Sequence, residues 1–113
     1  MQQTLFALDD RFTAWQRFHT DNPAVFELFQ RFATEAYYRG VRKLSARVIG
    51  ERIRWYTSVE TSDPGYKVND HHWPYYARLL AGTDSRFAGF FEFRDKAFDA
   101  STEQIVRAHK ATT

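Results

Sequence analysis

Two neighbouring segments of this 113-residue chain combine side chains that could bind a nucleic acid. The first, residues 39–54, holds six Lys or Arg residues against the single acid Glu51. The second, residues 67–80, holds two adjacent histidines, three aromatic residues, an asparagine and an arginine around a predicted helix start. Cations contact phosphate, whereas planar and amide groups can contact base edges. A basic helix followed by a polar-aromatic helix is typical of a small nucleic-acid reader.

We expect phosphate anchoring by residues 42–47 and groove contact by residues 67–78 of the chain, with double-stranded DNA as the partner. Ser45, at a predicted helix start, could add a hydroxyl or helix-terminus contact to phosphate. Arg78 could instead be structural, paired with one of three glutamates, Glu51, Glu60 or Glu92. The predicted contact residues are Arg42, Lys43, Ser45, Arg47, Lys67, Asn69, His71, His72, Tyr75 and Arg78.

The triplet Asp70-His71-His72 contains good metal ligands. Adjacent residues of a helix point about 100° apart, so the two histidines are poorly placed to hold one ion. The chain has no cysteine, no His-x-x-x-His pair, no Gly-rich phosphate loop and no recognised catalytic motif. We therefore predict no metal site, no cofactor and no enzymatic activity.

Aromatic residues outside the predicted core suggest a second class of function. Trp and Tyr dominate the hot spots of protein interfaces, so a protein-binding face is the alternative to DNA binding. Core packing is the competing interpretation, and for Trp55 we favour it, as we do for Tyr76. The candidate interface residues are Trp55, Tyr66, Trp73, Tyr75 and Phe90.

Length and composition are those of one domain with an aromatic-rich core, since the chain holds eleven Phe, six Tyr and three Trp. No apolar run approaches the roughly 20 residues that a membrane span requires. The N-terminus lacks the charged region and long apolar stretch of a signal peptide. We predict a cytoplasmic protein with no membrane association.

Apolar spacing and capping residues predict four helices. Pro23 suits a first helical position, Ser45 can cap the third helix, and Gly40 and Gly82 fall where helices should stop. The fourth helix starts most simply at Trp73, which leaves residues 69–72 as a lead-in. The predicted helices cover residues 8–19, 23–39, 46–56 and 73–81.

Two strands complete the prediction, a short one at residues 66–68 and a second at residues 86–94. The fold class is therefore mostly α with a small β-hairpin (α+β), in the order of a winged-helix-like helix-turn-helix domain. We expect residues 1–94 to form this domain, with the helix at 8–19 packed on it. Residues 95–113 are expected to form a polar tail or a short helix.

Several linked motifs resemble a family of small uncharacterised proteins encoded by phages and prophages. They lie within residues 22–94 and include Ser45-Ala46-Arg47-Val48-Ile49-Gly50-Glu51-Arg52, Pro74-Tyr75-Tyr76-Ala77-Arg78-Leu79 and Phe90-Phe91-Glu92-Phe93-Arg94. The resemblance implies very little about function, because that family has no firm biochemical role. We predict a small phage-type DNA-binding regulator, and the alternative is a module that binds or inhibits a host protein without binding DNA.

Overall fold

The computed structural model describes residues 2–61, 68–93 and 98–112, with side chains from Arg11 onward. Five α-helices form in this part of the chain: α1 Gln2–Asp21, α2 Pro23–Tyr38, α3 Ala46–Trp55, α4 Trp73–Thr83 and α5 Thr102–Thr112. A π-helical turn, Tyr56–Glu60, extends α3, and 3-10 turns at Asp70–His72 and Ser85–Phe87 flank α4.

Helix starts follow the predicted signals at three places. α2 begins at Pro23, where a missing N–H costs no intrahelical hydrogen bond. The Oγ atom of Ser45 accepts from the backbone N–H of Val48 at 3.3 Å and caps α3. α4 begins at Trp73 with Pro74 in its first turn. The lead-in predicted for residues 69–72 forms a 3-10 turn.

The predicted stop at Gly82 is wrong by one residue, since α4 continues to Thr83. A Cβ atom on Gly82 would come within 2.7 Å of Thr102 Cγ2 and 2.9 Å of Val106 Cγ2. The glycine is therefore where α5 approaches the backbone of α4, and its small size serves packing rather than helix termination.

The winged-helix prediction is wrong, because the described residues contain no strand and no sheet. The described part of the expected strand at 86–94, residues 86–93, is instead a 3-10 turn followed by a loop, and Arg94 lies outside the described residues. Of the expected strand at 66–68, only Val68 lies within the described residues. The physical reason is that Phe87, Phe90 and Phe91 are all buried. A strand would alternate buried and exposed side chains, whereas this spacing requires the chain to turn over the core. An isolated parallel bridge joins Leu44 to Phe91.

α4 is the central helix of the domain. Trp73, Tyr75, Tyr76 and Leu79 are each at most 1% exposed, which is the behaviour of a helix covered on all sides. Aromatic rings from α1 and α2 pack on it, as Trp15 does on Tyr75 at 5.5 Å. The prediction of Tyr76 in the core is confirmed. The helix that the winged-helix interpretation placed in a DNA groove is thus the helix that the rest of the domain surrounds.

The C-terminal region is part of this core. Ile105, on α5, is fully buried, and Ala100 just before the helix is also buried. α5 lies along α4 and also contacts α1. The polar composition of the segment reflects the outer face of a short amphipathic helix.

Candidate nucleic-acid interface

The connection from α2 to α3 is held in one shape by a left-handed glycine. Gly40 has φ = 96°, the conformation predicted for it at the end of α2. Its N–H donates to the carbonyl of Tyr37 at 3.1 Å, and the N–H of Val41 donates to that of Ala36 at 3.0 Å. This pair of hydrogen bonds is a Schellman motif, and it ends α2 sharply so that residues 41–45 run along the surface.

Two arginines from distant parts of the chain meet on Tyr37. The guanidinium of Arg42 lies 5.0 Å from the Tyr37 ring centre, and that of Arg86 lies 6.0 Å from it. Arg42 also donates from Nη1 to the carbonyls of Tyr37 and Val41, each at 3.2 Å. Its position therefore follows from the helix end, and it stays at the surface.

Arg86 is held between an acid and a tyrosine. Its Nη2 lies 2.6 Å from Asp84 Oδ2 and its Nε 3.1 Å from Asp84 Oδ1, while Nη1 donates to the Tyr38 hydroxyl at 3.1 Å. The hydrogen bond from Arg86 lowers the pKa of Asp84, so the carboxylate stays ionised and remains paired with Arg86. The guanidinium is consequently fixed beside Tyr38.

Arg39 and Lys43 complete a basic patch at this corner. Both side chains are exposed, Arg39 as the C-cap of α2 and Lys43 in the connection to α3. Within the described part of the chain, no ion pair involves Arg39, Arg42 or Lys43. We name the residues Tyr38, Arg39, Arg42, Lys43 and Arg86 the α2–α3 patch.

The arginines of α3 differ from Arg39, Arg42 and Lys43 because acids compensate them, as Asp84 also compensates Arg86. Arg54 donates to Asp70 at 2.6 Å and to Glu51 at 3.0 Å, and Arg52 lies 3.2 Å from Glu60. Arg47 makes a looser pair with Asp70 at 3.8 Å and stays largely exposed. The positive charge that the sequence assigns to residues 39–54 is therefore concentrated toward the start of the segment.

Asp70 places a negative charge in the segment that was expected to meet DNA. Hydrogen bonding from Arg54 lowers the pKa of Asp70, with further contributions from the charges of Arg54 and Arg47. The carboxylate is therefore ionised at neutral pH and exposed beside His71. A phosphate approaching this point would meet a fixed anion.

The exposed members of the predicted groove segment are Asn69 and His71, while Lys67 lies outside the described residues. The Oδ1 atom of Asn69 accepts the backbone N–H of His71 at 2.9 Å and caps the 3-10 turn. Asn69 therefore has a structural role at the entry to α4.

His72 and Tyr75 lie inside the domain. The His72 ring packs against Phe18 with 5.1 Å between ring centres, and burial lowers its pKa. The Tyr75 hydroxyl donates to Asp99 Oδ1 at 2.5 Å while its ring stacks on Phe12 and Trp15. Neither side chain lies where a duplex could reach it.

Arg78 is buried and takes a structural position. Its guanidinium lies 3.6 Å from the ring centre of Phe98 and 4.4 Å from that of Phe93, and Nη1 donates to the carbonyl of Pro74 at 3.3 Å. These contacts join α4 to the segments that follow it. They favour a structural role for Arg78 over contact with DNA, and the contacts that support this role are cation–π contacts with aromatic rings.

The structure brings four predicted residues to one surface cleft of about 440 Å³ between the starts of α3 and α4. Two acids, Asp70 and Glu92, line the same cleft, so its charge is mixed. Arg42 and Lys43 do not line it. Of the predicted set, Arg42 and Lys43 belong to the α2–α3 patch, and Ser45, Arg47, His71 and Arg78 belong to this cleft. The other three predicted residues that the structure describes lie in neither.

The predicted contact residues did not include Tyr38, Arg39 and Arg86, which the structure places at the same corner as Arg42 and Lys43. Arg39 was visible in the basic segment, and Tyr38 lies off the apolar stripe of α2 that runs through Val25, Phe29 and Phe32. Helical spacing could therefore have marked Tyr38 as exposed. No local signal could place Arg86 beside it, because 48 residues separate the two.

The outer face of α3 carries a second surface feature. Val48, Trp55 and Val59 are exposed, with Trp55 at 58%, and their spacing places them on one side of α3 and its π-helical extension. The expectation of Trp55 in the core is wrong, because Ile49 and Ile53 already turn the opposite face inward. Of the other aromatics proposed for an interface, Trp73, Tyr75 and Phe90 are buried and Tyr66 lies outside the described residues.

In the described residues, no three His, Asp or Glu side chains are placed to hold a metal ion together. None of the described helices is both long and apolar enough to cross a bilayer. Comparisons with protein-family models, curated proteins and solved structures found no match to this chain.

Proposed function

We propose that this protein binds DNA and that the α2–α3 patch contacts the phosphate backbone of the DNA. The observation that carries the proposal is the position of Arg39, Arg42 and Lys43, three exposed cations at one helix end with no ion-pair partner among the described residues. Free cations next to an ordered backbone turn suit phosphate contact, because binding releases counterions without first breaking ion pairs.

The proposed contact differs from the groove reading expected of a winged helix. α4 is buried and the charge near its start is mixed, so this helix is poorly placed to contact base edges. The exposed cations of the patch suit contact with phosphate instead. Arg47 lies outside the patch, in the mixed-charge cleft where it pairs with Asp70. We propose that the protein is a phage-type regulator that binds DNA in the cytoplasm.

The test is a fluorescence-anisotropy titration of labelled DNA at about 50 and about 200 mM salt. We expect the double variant Arg42→Ala/Lys43→Ala to weaken binding and to reduce the slope of log affinity against log salt by about 1.5 to 2, one counterion term for each lost cation. The matched control is Arg17→Ala/Arg107→Ala, which removes the same charge from exposed positions on α1 and α5. No binding at the lower salt, or equal losses in the two double variants, would refute the proposal.

A second candidate function, protein binding, is favoured by the exposed face of Val48, Trp55 and Val59. An exposed Trp between two exposed aliphatic residues on a regular helix is typical of an interface hot spot. A protein partner bound there should lose affinity on Trp55→Ala with little response to salt. Arg42→Ala/Lys43→Ala should leave such a partner bound, which separates the two candidates.

A further inference from the structure

Resting on the proposed function, we infer that the α2–α3 patch takes single-stranded nucleic acid and that Tyr38 stacks on an unpaired base. Tyr38 is the most exposed large hydrophobic side chain among the described residues, at 71%, and it stands next to the cations of the patch. Aromatic rings beside cations are the usual elements of sites for single strands, where cations follow the backbone and rings stack on bases.

The ring of Tyr38 is fixed before any ligand arrives. Arg86 donates to its hydroxyl at 3.1 Å, and Asp84 holds Arg86 in turn. On another side, Tyr38 packs edge-on against Tyr37, with 5.4 Å between ring centres and planes at 84°. A base that stacks on this ring would therefore cost little side-chain entropy, because the ring is already ordered.

The cations lie close to that ring. Arg39 follows Tyr38 directly in the chain, and Arg42 packs on the Tyr37 ring that Tyr38 touches. Arg86 also lies 5.7 Å from the Tyr38 ring centre, and it approaches Tyr37 as Arg42 does. A strand with one base on Tyr38 would therefore have its neighbouring phosphates near Arg39 and Arg42, whereas Asp84 compensates the charge of Arg86.

A duplex cannot use the ring in this way, because each base face inside a duplex is covered by the next base pair. Reading a duplex in its groove would require a helix or ribbon that projects from the domain. α4 is enclosed by the other helices, and no strand or hairpin projects from the described part of the chain. An exposed ring next to free cations therefore fits an unpaired strand better than paired DNA.

The experiment compares four labelled probes of one 15-nucleotide sequence by fluorescence anisotropy at low salt: single-stranded DNA, the same strand as RNA, duplex DNA, and single-stranded DNA with abasic sites. We expect a single strand to bind more tightly than the duplex, and the tighter of the DNA and RNA strands identifies the source of the ligand. Tyr38→Ala should weaken binding of that strand by about 5- to 50-fold and should weaken duplex and abasic binding much less.

Two control variants accompany the test. Tyr38→Phe keeps the ring and should keep most of the affinity, whereas Trp55→Ala removes an exposed ring outside the patch and should have no effect. Duplex binding as tight as single-strand binding, or equal losses on all probes with Tyr38→Ala, would overturn the inference alone. If no probe binds at low salt, the proposed function fails together with it. Thermal unfolding of each variant checks that the exposed substitutions leave the fold intact.

Discussion

The Nε2 atom of His19 and the Nδ1 atom of His109 lie 2.9 Å apart and join α1 to α5. The His19 ring is buried, stacked on Trp15 with 5.0 Å between ring centres. One of these two nitrogens must donate and the other must accept, so the hydrogen bond forms only if one of the two carries no proton. The contact between the N-terminal and C-terminal helices therefore depends on the protonation of two imidazoles.

Acidification is expected to destabilise the domain through this pair. Burial, with a smaller contribution from His109, lowers the pKa of His19 from 6.5 to about 4. Because the folded state disfavours the proton, the stabilisation is fully present above pH 6.5 and is lost as the pH falls toward 4. The expected loss is about 2–3 kcal/mol, measured by urea unfolding across that range.

The variant His19→Phe tests the assignment of this pH dependence. It should be less stable than the wild type at pH 7 but show a shallower decline below pH 6.5, with the remainder due to buried His72 and to His109. His71→Gln, at an exposed position, serves as the control and should change the decline less than His19→Phe does, because the charge of His71 is only the smaller of two causes that lower the pKa of His72. An unchanged decline in His19→Phe would contradict the role of the pair.

Gly50→Ala is expected to destabilise the contact between α3 and α4 by about 1–3 kcal/mol. A Cβ atom at this position would clash with Trp73 Cε2, and the indole is buried. Gly89→Ala is the matched control, since nothing lies within 4 Å of its added Cβ. Denaturant unfolding measures both variants, and similar stability of the two would show that Trp73 does not pack as described.

Ile105→Ala is expected to cost about 2–4 kcal/mol, because it opens a cavity under a fully buried side chain of α5. Glu103→Ala, at an exposed position on the same helix, should change stability by less than about 0.5 kcal/mol. Thermal unfolding of both variants tests whether α5 belongs to the cooperative core. A negligible effect of Ile105→Ala would mean that α5 unfolds independently of the other helices.

The hydrogen bond from Tyr75 to Asp99 should be measurable in a double-mutant cycle. Burial and this hydrogen bond raise the pKa of Tyr75, so its hydroxyl remains the donor at neutral pH. Tyr75→Phe and Asp99→Ala should each cost about 1 kcal/mol, and the double variant should cost little more than either. Additive losses would indicate that the two groups act independently.

The sequence by itself determined much of the local structure. Pro23, Gly40 and Ser45 act where they were predicted because helix ends depend on the conformation and hydrogen bonding of a few adjacent residues. The basic character of residues 39–54 was equally readable, since charge is a property of composition. These features need no partner from elsewhere in the chain.

Only the tertiary structure decided which residues are available to a ligand. The aromatic run near residue 90 has the composition of a strand, but burial of three of its rings against the helices turned it into a loop. Burial also removed His72, Tyr75 and Arg78 from the set of exposed side chains. Asp70, from a different part of the chain, compensates Arg54 of α3. The neighbourhood of Tyr38 and Arg86 arises from packing between segments far apart in the chain, and spacing along one segment carries no information about such a contact.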